Sequence, residues 1–286
     1  MIVDIPFYLD VTLCCGQVFR WDKKGDWWYG VAGNRVCKVH QLGNQIEFCN
    51  VNWNFVENYF SLDANLQKIL DNINKDAHIR KALKEYWGLR LIRQDPWECL
   101  ISYICATYKS IAAIKRMLNS ISQKFGTKTS FDGCNFYTFP ECKKLANATE
   151  SQLKACGLGY RAKYVLATSR RICETGFDLD DLSNKPYETA KKALMEFPGV
   201  GPKVADCVLL FSLGKIEAFP VDVWIKRVIL NHYRSKIAPA LMQRLTKNES
   251  LSSKDYEQLN EFGRNYFGEY AGYAQEYLYH YERMAI

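Results

Sequence analysis

Apolar and polar residues alternate near the start of the chain, which indicates β-strands. In the segment 45–48 the apolar Ile46 and Phe48 alternate with polar residues, and this repeat of two is the spacing of a half-buried strand. Gly-Asn pairs at 33–34 and 43–44 are typical of tight turns between strands. The pattern predicts a small antiparallel sheet in the first 75 residues.

A helical repeat replaces the alternation beyond this sheet. Apolar residues recur every three or four positions in the segment 111–125, which is the spacing of one helix face. Asp95 before Pro96 is typical of an N-cap and a first helical residue. Thr149 with Gln152 resembles a capping box. These signals predict a mainly helical body.

Two short apolar helical runs within 187–214 flank the segment Pro198-Gly-Val-Gly-Pro202. This arrangement predicts a helix-hairpin-helix motif, in which Gly199 and Gly201 let the backbone approach another molecule closely. Pro202 suits the first position of the second helix, whose free amides and dipole attract an anion such as a phosphate. A plain hairpin of two helices is the alternative.

Composition divides the chain into three segments. We assign 1–75 to the sheet domain, 76–245 to the helical domain with the hairpin, and 246–286 to a Tyr-rich, acidic C-terminal segment with one helix from about 255. The expected fold class is α+β, with an N-terminal antiparallel β-sheet packed on a mainly α-helical body.

The composition is that of a folded protein with a basic surface. The 286 residues are 48% hydrophobic and 24% charged, which excludes wholesale disorder. The net charge is +7, and the segments 109–131 and 154–171 each hold five basic residues and no acidic one. Basic runs are commonly solvated faces, but here they flank a motif that suits phosphate, so we expect an anionic partner.

The 11 cysteines are an odd number without paired spacing, and Cys14 adjoins Cys15. We expect reduced thiols in an intracellular protein, because disulfides persist in oxidising compartments. The first ten residues lack the basic start of a signal peptide, and no apolar run reaches the roughly 20 residues of a membrane helix. We therefore do not expect a secreted, membrane-spanning or fibrous protein.

Lys203 and Asp222 are the candidates for chemistry. Lys203 lies just inside a predicted helix N-terminus, where the dipole disfavours an ammonium and favours a neutral amine nucleophile. Cys207, one turn further, is placed to hydrogen-bond or pair with that amine. Asp222 is a predicted N-cap, and its ionised carboxylate can orient the amine and stabilise a positive sugar. The alternatives are a phosphate contact for Lys203 and a simple cap for Asp222.

Five segments resemble one family of DNA repair enzymes. The hairpin with Lys203, followed by Pro220-Val-Asp222, resembles the helix-hairpin-helix-Gly/Pro-Asp superfamily of DNA glycosylases. Four further segments are similar to 8-oxoguanine DNA glycosylases of the eukaryotic type: Cys15-Gly-Gln-Val-Phe-Arg-Trp21, Gln94-Asp-Pro-Trp-Glu98, Gly157-Leu-Gly-Tyr-Arg-Ala-Lys-Tyr164 and Tyr270-Ala-Gly-Tyr-Ala-Gln275. The motifs follow the family's order and span nearly the whole chain.

The resemblance implies a bifunctional glycosylase and AP lyase acting on double-stranded DNA that contains oxidised guanine. Lys203 would attack C1′ of the damaged nucleotide, release the base and hold the sugar as a Schiff base before β-elimination cuts the strand. Asp222 would support the cationic sugar, and the base must be flipped out of the duplex. No metal or cofactor is implied. We expect a monomer, in the cytoplasm or nucleoid of a prokaryote or the nucleus of a eukaryote.

The resemblance also assigns a base pocket, which the C-terminal helix would complete. The backbone carbonyl of Gly16 would accept the N7 proton that distinguishes 8-oxoguanine from guanine, and Gln275 would hold the Watson–Crick edge. Cys207 and Tyr279 would sandwich the ring. Taken alone, Gly16 would suit a strand turn, and Tyr279 belongs to a tyrosine stripe typical of a core.

Contacts to DNA follow from the resemblance in the same way. Tyr160 would wedge into the base stack and Arg161 would bind the orphaned base, although core packing explains Tyr160 equally well. The remaining DNA-binding positions are Lys109, Gly199, Val200, Gly201 and Val204.

The chain departs from the family pattern at several positions. Where relatives carry an Asn run and then a second Arg, this chain has Thr107-Tyr-Lys-Ser110 and Ala113. Losing a bidentate donor removes roughly 1–3 kcal/mol of discrimination, so we predict a weak preference for cytosine opposite the lesion. Trp224 replaces a His that many relatives carry. No Cys follows Cys207, so a C-terminal four-Cys iron–sulfur cluster is not expected.

Two other functions stay open. A monofunctional glycosylase for alkylated bases would keep Asp222 and lack a nucleophilic lysine, so Lys203 argues against it. A non-catalytic DNA-binding module would use the hairpin and need neither Asp222 nor the Gly16 segment. Trapping a covalent adduct with borohydride distinguishes the three functions.

Overall fold

A four-stranded antiparallel sheet lies near the start of the computed structural model, which describes residues 6–285. Its strands neighbour one another in sequence order: β1 (Trp21–Lys24), β2 (Trp27–Ala32), β3 (Arg35–Leu42) and β4 (Gln45–Cys49). Ile46 is fully buried while its neighbours Gln45 and Glu47 are exposed, as the alternation predicts. The strands end at Cys49, and most of the chain beyond them is helical.

The helices are α1 (Leu9–Cys14), α2 (Trp53–Tyr59), α3 (Leu66–Ile73), α4 (Ala77–Glu85), α5 (Pro96–Ala106), α6 (Ile111–Phe125), α7 (Cys142–Ala146), α8 (Glu150–Leu153), α9 (Arg161–Thr175), α10 (Tyr187–Met195), α11 (Pro202–Ser212), α12 (Val223–His232), α13 (Pro239–Lys247), α14 (Ser253–Phe267) and α15 (Ala271–Met284). The α+β fold class is confirmed. None of the described helices is both long and apolar enough to cross a membrane.

The helix starts predicted from local signals form as expected. The Asp95 carboxylate accepts a hydrogen bond from the Glu98 amide at 2.8 Å and caps α5. Thr149 and Gln152 make both hydrogen bonds of a capping box. Each bond satisfies an amide that a helix start leaves free, and this is why these residue types fix the helix boundaries.

A two-stranded sheet interrupts the helical body, and the sequence analysis missed it. Its strands are β5 (Lys128–Phe131) and β6 (Cys134–Tyr137). The turn between them is Asp132-Gly133, with φ angles of +53° and +70°. Asp-Gly between two strands is a strong hairpin signal, but the strands lack an alternating apolar pattern because most of their side chains are partly exposed.

The C-terminal segment is two helices, and the prediction of one continuous helix was wrong. Gly268 ends α14 with a φ of +74°, and a short 3₁₀ turn leads into α15. A positive φ breaks a right-handed helix, and glycine adopts it without steric cost. The break lets α15 pack against α4, α12 and α14.

Candidate active site

The turn of the hairpin is held against α9 by a glycine contact. Gly199 has a φ of +84°, and a Cβ there would lie 2.7 Å from the Cβ of Tyr164. No side chain fits in that space, so glycine is required for both the backbone angle and the packing. The contact fixes the turn between α10 and α11.

The second hairpin helix, α11, begins without a side-chain cap. Gly201 is the N-cap, and its carbonyl accepts the Ala205 amide at 3.0 Å. The preceding amides of Lys203 and Val204 therefore have no acceptor within the helix. An uncapped N-terminus is a ready anion site. The side chains of Val200 and Val204 are buried, so these two residues can meet DNA only through their backbones.

Tertiary packing brings Lys203 close enough to Asp222 and Cys207 to affect their pKa values. The charge of Lys203 acts on both Asp222 and Cys207. Asp222 caps α12 as predicted, and one carboxylate oxygen, Oδ1, accepts the amides of Trp224 and Ile225 at 2.9 Å each. Lys203 lies at the start of α11 and Asp222 caps the start of α12. Cys207 lies on α11, one turn after Lys203.

Burial sets the protonation of the two partners of Lys203. Burial raises the pKa of the Asp222 carboxyl, although Lys203 and the capping amides oppose the rise. Capping alone would lower this pKa, so burial outweighs it. Burial also raises the pKa of the Cys207 thiol to about 12. Cys207 is therefore a neutral thiol near pH 7, and a thiolate–ammonium pair with Lys203 does not form.

Gly16 lies against the C-terminal helix α15. Its φ is +105°, and a Cβ there would be 3.2 Å from both the Tyr279 hydroxyl and Arg283 Nη1, and 3.3 Å from Ile111. The backbone angle therefore favours glycine, and a side chain would fit only if its neighbours moved by a few tenths of an ångström. Tyr279 is partly exposed, whereas the other residues of 271–280 are buried, which separates it from the core tyrosines of its stripe.

Gln17 fixes the loop that carries Gly16. Its fully buried side-chain amide donates to the carbonyls of Thr12 at 3.1 Å and Arg90 at 2.8 Å, and accepts the Ile92 amide at 2.7 Å. The backbone carbonyl of Gln17 in turn accepts the Gln94 side chain at 2.8 Å. Gln17 is thus a positioning residue, and the two family-like segments 15–21 and 94–98 meet at this loop.

Arg283 is a site residue that sequence reasoning missed. Its guanidinium donates to the Cys14 carbonyl at 2.6 Å and lies 5.3 Å from the Tyr279 ring centre. The contact ties the end of α15 to the Gly16 loop from the opposite end of the chain. No local pattern marks this arginine, although it follows Tyr279 by four residues and so shares its helix face.

Two buried acceptors on α15 have no hydrogen-bond partner among the described residues. They are Oε1 of Gln275 and Oε1 of Glu276. A buried acceptor without a partner costs about 1–3 kcal/mol, so the Oε1 of Gln275 favours a bound group that donates a hydrogen bond. Glu276 was not singled out in the sequence; its charge acts on Cys207 and Tyr279.

Burial makes Glu276 an acid that titrates near neutrality. Its carboxyl hydrogen-bonds to the Cys15 thiol, and burial raises its pKa from 4.5 to about 7. The folded protein therefore keeps a proton between these pH values that the unfolded chain releases, so the free energy of unfolding falls as pH rises across this window. The contribution is about 3 kcal/mol.

Replacement Glu276→Gln is expected to remove this pH dependence. The amide cannot ionise, so the variant should not lose this stability as pH rises. Between pH 4.5 and pH 8 the free energy of unfolding of the wild type should fall by about 3 kcal/mol relative to that of the variant. Urea unfolding at both pH values measures it, with the exposed Glu261→Gln as the matched control. A stability difference that stays constant across this range would contradict the assignment.

Tyr108 and Tyr160 form an exposed aromatic edge. Their side chains are 87% and 51% exposed, so core packing does not explain Tyr160. The buried Arg161 joins them, because its guanidinium donates to the Thr107 carbonyl and lies 4.4 Å from the Tyr160 ring centre. Lys109, next in sequence, is also exposed. Aromatic rings at this edge suit stacking on bases.

The departures from the family pattern lie on two different helices, α6 and α12. Ala113 lies in the first turn of α6 without a side chain that could donate a hydrogen bond. Trp224 is partly exposed next to Asp222, and Arg227 lies 4.8 Å from its ring centre. An indole stacked by a guanidinium therefore stands where many relatives carry an imidazole.

A buried polar network anchors the helix that carries Lys203. The Asp206 carboxylate on α11 accepts hydrogen bonds from Tyr187, from Tyr256 at 2.6 Å and from Asn260 at 3.0 Å, with the Lys191 ammonium 3.2 Å away. Burial raises the pKa of Asp206 against the effect of Lys191. The network ties α11 to α10 and α14, so the position of Lys203 is set by a rigid support.

The fold and the site define a helix-hairpin-helix base-excision repair scaffold. The HhH-GPD superfamily of base excision DNA repair proteins matches residues 101–254, and the N-terminal domain of 8-oxoguanine DNA glycosylases matches residues 2–100. The chain belongs to the 8-oxoguanine DNA glycosylase family.

Individual relatives agree with this family. The chain is 35% identical to an N-glycosylase/DNA lyase of Saccharomyces cerevisiae over 77% of this chain and 64% of the yeast protein. It is 36% identical to a probable N-glycosylase/DNA lyase of Methanothermobacter thermautotrophicus, over 73% of this chain and 68% of that protein. The chain thus spans about two thirds of the length of these curated relatives.

Solved structures show the same fold. The 8-oxoguanine glycosylase/lyase of Clostridium acetobutylicum, in complex with double-stranded DNA containing cytosine opposite 8-oxoguanine, has a TM-score of 0.88 and 33% identity over 98% of this chain and 92% of that chain. A 3-methyladenine DNA glycosylase of Archaeoglobus fulgidus has a TM-score of 0.74 and 19% identity over 99% of this chain and 98% of that chain. The second likeness concerns the fold alone.

Proposed function

We propose that this chain is a bifunctional DNA glycosylase and AP lyase that excises 8-oxoguanine from double-stranded DNA. The observation that carries the proposal is Lys203 at the uncapped start of α11, with its charge acting on the partly buried Asp222. An amine nucleophile and a fixed carboxylate are the two groups that a Schiff-base mechanism needs. The family and its relatives supply the substrate class.

In the proposed reaction the neutral amine of Lys203 attacks C1′ while N9 of the base leaves with the electron pair of the glycosidic bond. Asp222 stabilises the positive charge that develops on the sugar. The departing base takes up the amine proton, and opening of the sugar ring gives a Schiff base. Water takes the proton from C2′, and the resulting elimination expels the 3′ phosphate and cuts the strand. A second water hydrolyses the Schiff base and frees Lys203.

The base pocket is proposed to discriminate by hydrogen-bond matching. The Gly16 carbonyl accepts the N7 proton of 8-oxoguanine, whereas guanine presents a lone pair there and leaves the carbonyl unpaired. Such a mismatch is strongly rejected in a buried site. The unpartnered Oε1 of Gln275 supports its role on the Watson–Crick edge, because that edge carries donors at N1 and N2. Tyr279 and the neutral Cys207 enclose the ring.

The DNA is proposed to lie across the hairpin and the exposed aromatic edge. Backbone amides at Gly201, Lys203 and Val204 contact phosphate, Tyr160 enters the stack, and binding weakens with salt because phosphate contacts dominate affinity. Arg161 reaches the orphaned base by releasing the Thr107 carbonyl. We propose a monomer acting inside the cell, with the nucleoid or nucleus as the site of action.

Borohydride trapping on a duplex with one 8-oxoguanine tests the proposal. We expect a covalent protein–DNA adduct, release of the base and a cut strand, and none of these on an undamaged duplex of the same sequence. Release of a base without an adduct would favour the monofunctional alternative. Binding without either would favour a non-catalytic module.

The preference for the base opposite the lesion is expected to be weak. Arg161 lies on this edge, and Ala113 stands at the position where the resemblance implies a second arginine, so one bidentate contact to cytosine is absent. We expect excision rates opposite C, A, G and T to differ by no more than about 150-fold, since the one remaining bidentate contact is worth roughly 1–3 kcal/mol. Single-turnover rates on four duplexes measure this. A steep preference for cytosine would contradict it.

A further inference from the structure

Three helices bring two imidazoles and a carboxylate together away from the reacting residues. His78 stands in the first turn of α4, His232 is the last residue of α12, and Glu282 lies near the end of α15. One donor atom from each of the three lies within 4.8 Å of the other two. The positions are 78, 232 and 282 in sequence, so only tertiary packing assembles them.

His78 provides a free donor atom at this place. Its Nε2 is buried and has no hydrogen-bond partner among the described residues. An imidazole nitrogen without a hydrogen-bond partner is a donor atom that a metal ion can use.

The surroundings of the cluster suit a cation. His232 ends α12, and the carbonyls at a helix C-terminus carry partial negative charge. The Tyr281 ring packs edge-on to His78 with ring centres 5.7 Å apart and limits its rotation. Among the charges that act on His78, Asp76 favours a cation and Lys81 opposes it.

We propose that His78, His232 and Glu282 bind one divalent transition-metal ion of the zinc class. Two imidazole nitrogens and one carboxylate oxygen form a donor set that Zn²⁺ accepts, with water completing a tetrahedron. The two rings stack with centres 3.5 Å apart and an interplanar angle of 12°. The lone pairs of stacked rings lie in nearly parallel planes, so one ring must turn on binding to direct both nitrogens at one ion; the donor atoms, within 4.8 Å of one another, are close enough for this.

The proposed role of the ion is structural. Asp222 caps the start of α12, whose far end is His232, and α15 carries Gln275 and Tyr279 one to two turns before Glu282. An ion bridging the ends of these helices to α4 stabilises the folded state by its binding free energy. The reaction of Lys203 does not involve this ion, so the inference is independent of the proposed function.

Metal titration of the chelator-treated full chain tests the site. The thiols of Cys142 and Cys173 are 3.0 Å apart and compete for soft metals, so Cys142→Ser is the background for all measurements. Calorimetry with Zn²⁺ gives stoichiometry and affinity, and the Co²⁺ absorption spectrum distinguishes nitrogen and oxygen ligands from thiolates. The variants are His78→Ala, His232→Ala and Glu282→Gln, with His40→Ala on the sheet as the matched control.

We expect one equivalent of Zn²⁺, a tetrahedral Co²⁺ spectrum without thiolate bands, and a higher Tm with the ion. Each histidine variant should weaken binding at least about tenfold, while His40→Ala should leave it unchanged. Circular dichroism verifies that each variant is folded, and the two histidine variants are independent tests. Absence of binding in the parent, or an affinity in His78→Ala and His232→Ala equal to that of the parent, would overturn the site.

Discussion

Replacement of Lys203 by glutamine is expected to abolish both the borohydride adduct and strand cleavage on 8-oxoguanine duplex. Glutamine keeps the length and polarity of the side chain but cannot form a Schiff base. Loss of the nucleophile should lower the excision rate at least about a thousandfold, the order found when a covalent nucleophile is removed. Single-turnover cleavage and adduct formation measure the two effects separately.

The fold should survive this change, because Lys203 is partly exposed at a helix start. Lys192→Gln, on the exposed face of the first hairpin helix, is the matched control and should retain full activity. Binding of the damaged duplex should persist in Lys203→Gln, since the backbone amides that contact phosphate are unchanged. Excision at the normal rate by Lys203→Gln would refute the mechanism.

Replacement of Gly16 by alanine is expected to reduce excision of 8-oxoguanine by about tenfold or more, the equivalent of roughly 1–1.5 kcal/mol for one weakened hydrogen bond. A Cβ would stand 3.2 Å from the Tyr279 hydroxyl and from Arg283, at a φ of +105°. The contacts require a shift of a few tenths of an ångström, and the positive φ strains any residue with a Cβ, so the carbonyl proposed to accept the N7 proton is displaced. Steady-state kinetics on 8-oxoguanine duplex measure the loss.

Cleavage of a preformed abasic site separates recognition from chemistry in this variant. It should fall far less than base excision in Gly16→Ala, because an abasic sugar needs Lys203 but no base contact. Gly25→Ala is the control, since Gly25 also has a positive φ, +58°, but open space around its Cβ position. Equal losses of excision and abasic-site cleavage would instead indicate a general disruption of the site.

Local signals predicted the elements that hold the site. The N-caps at Asp95 and Asp222, the capping box at Thr149 and the glycines of the hairpin each act over four residues or fewer. Their hydrogen bonds join residues within one helical turn, so they can be predicted from the sequence without the tertiary structure. The break at Gly268 and the Asp132-Gly133 turn were also marked locally, but the weak apolar pattern around them concealed their role.

By itself the sequence therefore determined the class of fold, the hairpin and the candidate nucleophile, because these depend on short-range geometry and residue type. Tertiary structure alone decided which distant groups meet. Arg283 reaches the Cys14 carbonyl across 269 positions, Glu276 becomes a near-neutral acid beside Cys15, and His78 meets His232. Burial and long-range packing set such contacts and pKa values, and neither is encoded in the spacing of residues along the chain.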